Sequence, residues 1–501
     1  MTEPIAITRQ GQVQGFEKAG VLHFRGIPYA AAPIGDLRFR APQPPEPWDG
    51  VRDATAYGPS SLQGQPPIDI PGAPPPPRQM GEDCLYLNIW TASLDGRRPV
   101  MVWIHGGAFT IGSGAEFSGR ELAARGAVVV SINYRLGALG FLGLPCLADE
   151  HGRFTNFGLR DQIAALRWVR ENVAAFGGDP GNVTIFGESA GGMSVGALMA
   201  SPEAEGLFHR AIAQSGAGHH ALTLEAATAT ASRLCEILGL SPDDATGLRA
   251  APAVDLVQAA SKLETEDTQR FIGRGRVWRP TFAPVADGQA LRALPISAIN
   301  GGDGSDVPLL AGSNDDEYRS LVKVAPLSEP EVAGRFAELG VDDGKTAFEA
   351  FADARRERGE PASPEEVWQA ALTDHHFRVP ADRLAEANAA RGNPSYCYLF
   401  DWKSPPSVGL GAYHGFEIMF MSGIYKLFPD QAGSGPAADA LAHTMMDAWV
   451  AFATNGDPST PALHWPRFET ATRPLMVLGE RCYPATNYRE AERRVWDGVI
   501  P

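Results

Sequence analysis

Short β-branched runs alternate with amphipathic helical stretches through the first two hundred residues, and this alternation limits the fold more than any other feature of the chain. Pro99-Val-Met-Val-Trp-Ile104 and Ala127-Val-Val-Val-Ser-Ile-Asn133 read as strands buried on both faces. Asp161 to Asn172 carries apolar residues at helical spacing, and Phe176-Gly-Gly-Asp-Pro180 stops it. Val183-Thr-Ile-Phe186 is the next strand. Strand, helix, strand in this order requires right-handed crossovers and a largely parallel sheet with helices on both faces. Residues 220–390 read mostly as amphipathic helix, broken by the strand candidate Val307-Pro-Leu-Leu-Ala-Gly312. That pattern predicts helical insertions into one sheet, and one domain over residues 1–501. Gln63 to Met80 is Pro-rich and reads as a surface loop rather than strand or helix.

Gly187-Glu-Ser-Ala-Gly191 lies where that sheet would carry chemistry. A serine hydroxyl is a poor nucleophile unless a sharp turn holds it out and a base activates it; strand, G-x-S-x-G, helix supplies the turn. The bare pattern is weak, since a chain with 55 Gly would show it about 0.3 times by chance. A second copy, Gly192-Met-Ser-Val-Gly196, follows at once. Only Ser189 has a β-branched run directly upstream. Ser194 is expected inside the following helix.

A working serine hydrolase also needs N–H donors, a base and an acid. Trp103-Ile-His-Gly-Gly-Ala-Phe109 follows a strand and matches the HGG-type loop that offers backbone N–H groups, and the N–H of Ala190 is the other expected donor. In the Ser, acid, His order of this architecture the base lies well downstream, leaving His375, His376, His414, His443 and His464. His414 sits in the glycine-flanked turn Gly411-Ala-Tyr-His-Gly-Phe-Glu417, whereas the His375-His376 doublet in a helical pattern reads as surface or as a support behind the site. For the acid, Leu309 to Glu317 is the candidate with a strand directly upstream, but pattern alone does not choose among Asp315, Asp316 and Glu317.

Along nearly its whole length the chain resembles the type-B carboxylesterase/cholinesterase family of α/β-hydrolases. The matching segments run in order from Phe24-Arg-Gly-Ile-Pro-Tyr-Ala30 through Glu82-Asp-Cys-Leu-Tyr-Leu-Asn-Ile89, the Trp103–Phe109 loop, Asn156 to Gln162 and the Ser189 turn. They continue through Ala213-Gln-Ser-Gly216, Gly312 to Glu317, and Gly411 to Glu417. The resemblance implies an α/β-hydrolase fold with a helical cap or gorge over the site, Ser189 as nucleophile, His414 as base and Glu317 as acid. It also implies an oxyanion hole from the N–H groups of Gly107, Ala108 and Ala190, with Ser215 and Glu188 supporting the triad. Arg38 with Glu82, and Arg135 with Asp161, look like structural ion pairs of the fold. Phe109, Phe271, Phe420 and Met421 are expected on the substrate pocket. Two departures stand out: residues 51–83 hold no cysteine to pair with Cys84, and Pro74 stands where cholinesterases carry the tryptophan that receives choline, so choline esters are not the expected substrates.

The expected activity is therefore hydrolysis of small carboxylic esters by water through an acyl-enzyme, without metal or other cofactor. Amide or carbamate hydrolysis on the same residues is the nearest alternative. A non-catalytic scaffold of the same fold is disfavoured because every triad position is filled. A net charge of −16, from 43 basic and 59 acidic residues, argues against nucleic acid or an anionic membrane as partner. The start of the chain lacks a basic segment followed by an apolar one, and five scattered cysteines suit a reducing compartment. A cytoplasmic enzyme, monomeric or a small homo-oligomer, is the expectation.

Overall fold

The computed structural model describes residues 3–65, 77, 79–272 and 279–501, with the side chains of 271 and 272 outside the description. One sheet of eleven strands organises it. In chain order these are β1 (Phe16–Lys18), β2 (Val21–Pro28), β3 (Tyr86–Thr91), β4 (Arg98–Ile104), β5 (Val128–Ile132) and β6 (Gly178–Glu188). β7 (Arg210–Gln214), β8 (Leu309–Asn314), β9 (Ser395–Phe400), β10 (Leu475–Leu478) and β11 (Tyr483–Ala485) complete it. Across the sheet the order is β11-β10-β9-β8-β7-β6-β4-β5-β3-β2-β1. The run from β10 to β5 is parallel, and both margins turn antiparallel, through β11 on one side and β3, β2 and β1 on the other.

Side-chain alternation along these strands divides the interior in two. Val100, Val102, Ile104, Val128, Val130, Val183 and Ile185 face one hydrophobic cluster. Met101, Trp103, Val129, Phe186, Ile212 and Leu310 face the other. Both faces are covered, as a parallel sheet requires, and helices do the covering. Helix α1 (Phe157–Asn172) sends Phe157, Ile163, Leu166 and Val169 into the first cluster, joined by α2 (Ala190–Met199) through Val195 and Leu198. On the opposite face α3 (Phe416–Met421) and α4 (Pro436–Asn455) contribute Phe416, Phe420, Met445, Trp449 and Phe452. The helical material within 220–390 falls in the two crossovers leading from β7 to β8 and from β8 to β9.

Several expectations shift by a few residues. The strand foreseen from Val307 runs from Leu309 to Asn314, and α1 begins at Phe157 rather than Asp161. Its start is displaced because Asn156, in the left-handed region at φ 59°, turns the chain and clasps the backbone of Val285 with both polar atoms of its side chain, each at 2.8 Å. Of the Pro-rich stretch, residues 66–76 and 78, and with them Pro74, lie outside the described residues. Its last residue is not loop: Met80–Gly81 pairs with Ser60–Ser61 as a two-residue strand. Among the described residues no helix is long and apolar enough to cross a membrane.

An ion pair buried from solvent ties α1 to the end of β5. Arg135 Nη2 and Nε each donate to the Asp161 carboxylate at 2.7 Å, and the Arg135 backbone N–H adds a third bond at 3.0 Å. Arg38 and Glu82 form a comparable two-pronged pair at 2.6 Å nearer the surface. Cys84, buried beside Arg135 and Asp161, is unpaired, and burial pushes its thiol up to about 12, so it is chemically inert. Removing one partner of a buried pair strands the other charge. Asp161→Ala is therefore expected to cost about 3–5 kcal/mol, read as a lowered urea midpoint, and a loss below about 1 kcal/mol would refute this account of the pair.

Candidate active site

The site is assembled at the carboxyl ends of the central parallel strands, where doubly wound sheets open their crevices. β6 ends at Glu188, α2 begins at Ala190, and Ser189 makes the whole turn between them. Its backbone sits at φ 56° and ψ −125°, a conformation a residue with a Cβ adopts only under constraint. The constraint is visible. Ser189 N–H donates to the Gln214 carbonyl at 2.9 Å, and its own carbonyl accepts from Met193 N–H at 2.8 Å. A Cβ on Gly191 would overlap the Ile104 carbonyl oxygen, so glycine is needed for the helix to start this close to the sheet. Ser194, the serine of the second motif, lies inside α2, donating to the Ala190 carbonyl at 2.8 Å and accepting from Gln162 at 3.0 Å.

Opposite the elbow, the loop after β4 turns through three consecutive left-handed residues, Gly107 (φ 101°), Ala108 (φ 57°) and Phe109 (φ 64°). Thr110 and Ile111 N–H both donate back to the Gly107 carbonyl, which fixes the turn. Among the described residues the N–H groups of Gly107, Ala108 and Ala190 have no acceptor. The last of these opens α2, whose first turn leaves its N–H groups unpaired by construction.

Glu317 follows β8 and lies three residues past its end. Its carboxylate accepts from three directions: His414 Nδ1 at 2.6 Å, Ser215 Oγ at 2.6 Å and the Asn314 backbone N–H at 2.7 Å. The structure thus separates the three adjacent carboxylates, because only Glu317 faces the imidazole. His414 is buried, with its Nε2 3.3 Å from Glu188 Oε1, and among the described residues no hydrogen bond joins it to Ser189 Oγ. Such contacts commonly close only once substrate is bound. Burial pulls the imidazole down, but the carboxylates of Glu188 and Glu317 outweigh it and raise it to about 9. Burial likewise pushes Glu188 up to about 8, against the pull of His414 and helped by Glu417 and Glu317.

Four participants were not foreseen. Glu417, one turn beyond His414, is buried and held by Asn314 Nδ2 at 2.6 Å and Gln214 Nε2 at 3.2 Å. Burial and the nearby Glu317 raise it to about 7. The Phe377 ring lies 4.8 Å from that of His414. Phe377 comes from a π-helical turn, Asp374–Arg378, which also carries His375 and His376. The histidine doublet is therefore not a surface feature: His376 is buried, its ring 4.4 Å from His220. A buried doublet and a helical one read alike in sequence, because the wide turn that swings them inward has no distinct residue pattern. Among the described residues no group of three His, Cys, Asp or Glu side chains could hold a metal ion.

The expected pocket residues fare differently. Phe109 is fully buried, edge-on to Phe141 at 5.2 Å. Phe420 and Met421 expose no surface either: α3 turns them into the aromatic cluster, with Phe420 stacked on Tyr425 at 5.3 Å. They are core residues, not pocket wall, because the two helices of that face pack against each other at this point. The Phe271 side chain lies outside the described residues.

A model of the carboxylesterase family matches residues 2–496. The chain belongs to that family. As a carboxylesterase it is a carboxylic ester hydrolase with an α/β-hydrolase fold. This carboxylesterase is 39% identical over 508 residues to the para-nitrobenzyl esterase of Bacillus subtilis (strain 168), covering 99% of this chain and 98% of that protein. It is 38% identical to the phenmedipham hydrolase of Pseudarthrobacter oxydans, over 96% of each. A solved PNB esterase structure matches with a TM-score of 0.85 at 37% identity, over the whole of both chains. The carboxylesterase EST55 of Geobacillus stearothermophilus matches at 0.84 and 38% identity, covering 98% of this chain and 99% of that one.

Since the Glu188 carboxylate stabilises the protonated imidazole, Glu188→Gln should lower the pKa of His414 by about one unit in an NMR titration of the ring. An unchanged or raised value would show that the 3.3 Å approach carries no electrostatic weight.

Proposed function

We propose that this carboxylesterase works through Ser189 as nucleophile, His414 as general base and then acid, and Glu317 as the carboxylate that orients and charges the imidazole. The observation that carries this reading is the buried 2.6 Å contact between His414 Nδ1 and Glu317, with His414 Nε2 3.3 Å from Glu188, the residue before the Ser189 elbow at positive φ. Pinning Nδ1 leaves Nε2 as the nitrogen that exchanges a proton with the serine. His414 takes the Ser189 proton as the oxygen attacks the ester carbonyl. The tetrahedral oxyanion is received by the N–H groups of Gly107, Ala108 and Ala190, each contributing on the order of 10²–10³ in rate. The alcohol leaves with the proton from His414, and water cleaves the acyl-enzyme by the same steps in reverse roles. Ser215 holds the remaining oxygen of Glu317 and keeps the carboxylate turned toward the ring.

The substrates in this reading are small carboxylic esters, with water as co-substrate and the whole chain acting as one domain in the cytoplasm. One sheet that takes in strands from residue 16 to residue 485 supports the single domain. The likeness to phenmedipham hydrolase favours a second reading, amide or carbamate hydrolysis on the same residues, which a comparison of kcat/KM on matched ester and anilide would separate.

Ser189→Ala should lower turnover of a chromogenic short-chain ester by about 10⁴-fold or more while thermal unfolding is unchanged. A fluorophosphonate should label Ser189 in the parent protein and nothing in that variant. Wild-type turnover by Ser189→Ala would sink the assignment.

A further inference from the structure

Four hydrogen bonds, made by Asn314, Asp316 and Glu317, join the turn after β8 to the loop that carries His414. Asn314 Nδ2 donates to the Tyr413 carbonyl at 2.7 Å. Asp316 N–H donates to the Ala412 carbonyl at 2.9 Å, and the Asp316 carboxylate accepts from Ala412 N–H at 3.0 Å. Glu317 then meets His414. Asp316 is the one residue of the three that closes a ring with the other loop, grasping both backbone groups of Ala412, two positions before the imidazole. Gly411, at φ 64°, lets the carboxylate come this close, since a Cβ there would overlap Asp316 Oδ2.

The carboxylate is itself held from the far side. Lys403 Nζ lies 2.8 Å from Asp316 Oδ2, 2.6 Å from Asp315 Oδ2 and 2.7 Å from Asp401 Oδ1. Arg319 Nε donates to Asp316 Oδ1 at 2.9 Å and reaches on to Glu366. Arg489 pairs with Asp315. One lysine among three carboxylates leaves each of them oriented rather than free to swing, so the Oδ2 lobe is fixed toward Ala412 N–H.

We propose that Asp316 is a positioning residue for the hydrolytic reaction: by clasping Ala412 it sets the register between the Glu317 turn and the His414 loop, and so places the imidazole over Ser189. The inference rests on the triad reading given above. Displacement of a reacting group by about 1 Å costs on the order of 10² in rate, and the clasp, with Asn314 and Glu317 beside it, resists such a shift at the His414 loop.

The test is steady-state kinetics on a chromogenic ester with Asp316→Ala and Asp316→Asn, using the full chain and active sites counted by fluorophosphonate titration. Asp316→Ala should lose about 10²-fold in kcat per titrated site with KM changed less than about threefold. Asp316→Asn keeps an oxygen that can accept from Ala412 N–H and should recover most of the lost turnover. A purely structural role would instead lower the number of titratable sites and leave kcat per site unchanged. That result overturns the proposal, as does an Asn variant as slow as the Ala one. Ser189→Ala measured alongside reports on the triad alone: if it keeps turnover the triad reading fails, whereas its inactivity together with a fully active Asp316→Ala overturns only the positioning role.

Discussion

Everything in this molecule depends on a sheet whose two faces must both be hidden from water. Alternate residues of β4, β5 and β6 point into two separate apolar clusters, so each strand is committed twice. Helices on either side satisfy that demand, and the crossovers needed to place them bring loops together at the carboxyl ends of the strands. The loops that gather there come from distant parts of the chain: after β4, after β6, after β8 and after β9. Their chemistry is a consequence of where a parallel sheet is forced to leave its edge unoccupied.

The electrostatics of the crevice follow from this crowding. Glu188, Glu317 and Glu417 approach one imidazole within a region that water scarcely reaches. Burial there pushes two of the three carboxyls up, Glu188 to about 8 and Glu417 to about 7, and the neighbouring carboxylates add to it. Glu317 accepts three hydrogen bonds, including one from a backbone N–H, whereas among the described residues Glu188 Oε1 has only the imidazole close by.

The central strands and the elbow were legible in the sequence because a buried parallel strand is a continuous β-branched run, and β4, β5 and β6 are such runs. The outermost strands were not: β1, β10 and β11 are three or four residues long, too short to show a period. Ser189 could be chosen over Ser194 from upstream context, and Gly-Gly at 106–107 marked a donor loop. The ambiguity among Asp315, Asp316 and Glu317 had a physical reason. Adjacent carboxylates differ in function only through the partners folding brings them, and Lys403, Arg489, Ala412 and His414 are all about 85 to 175 residues away in sequence. Phe420 and Met421 misled for the converse reason, since an apolar residue beside a histidine turn serves a core as readily as a pocket.

The polar chain that runs from α4 into the crevice bears on how the molecule comes into being. Trp449 Nε1 donates to Gln214 Oε1 at 3.0 Å, and Gln214 in turn reaches Glu417. β8 cannot be flanked until β9 exists, and β9 cannot be flanked until β10 does. During synthesis from the amino end, Ser189 leaves the ribosome more than two hundred residues ahead of His414 and of the helix that braces Gln214. A chain that ends before Glu317 thus carries Ser189 on its turn with neither His414 nor Glu317 beside it. The cluster around His414 is complete only once the carboxyl-terminal strands have docked.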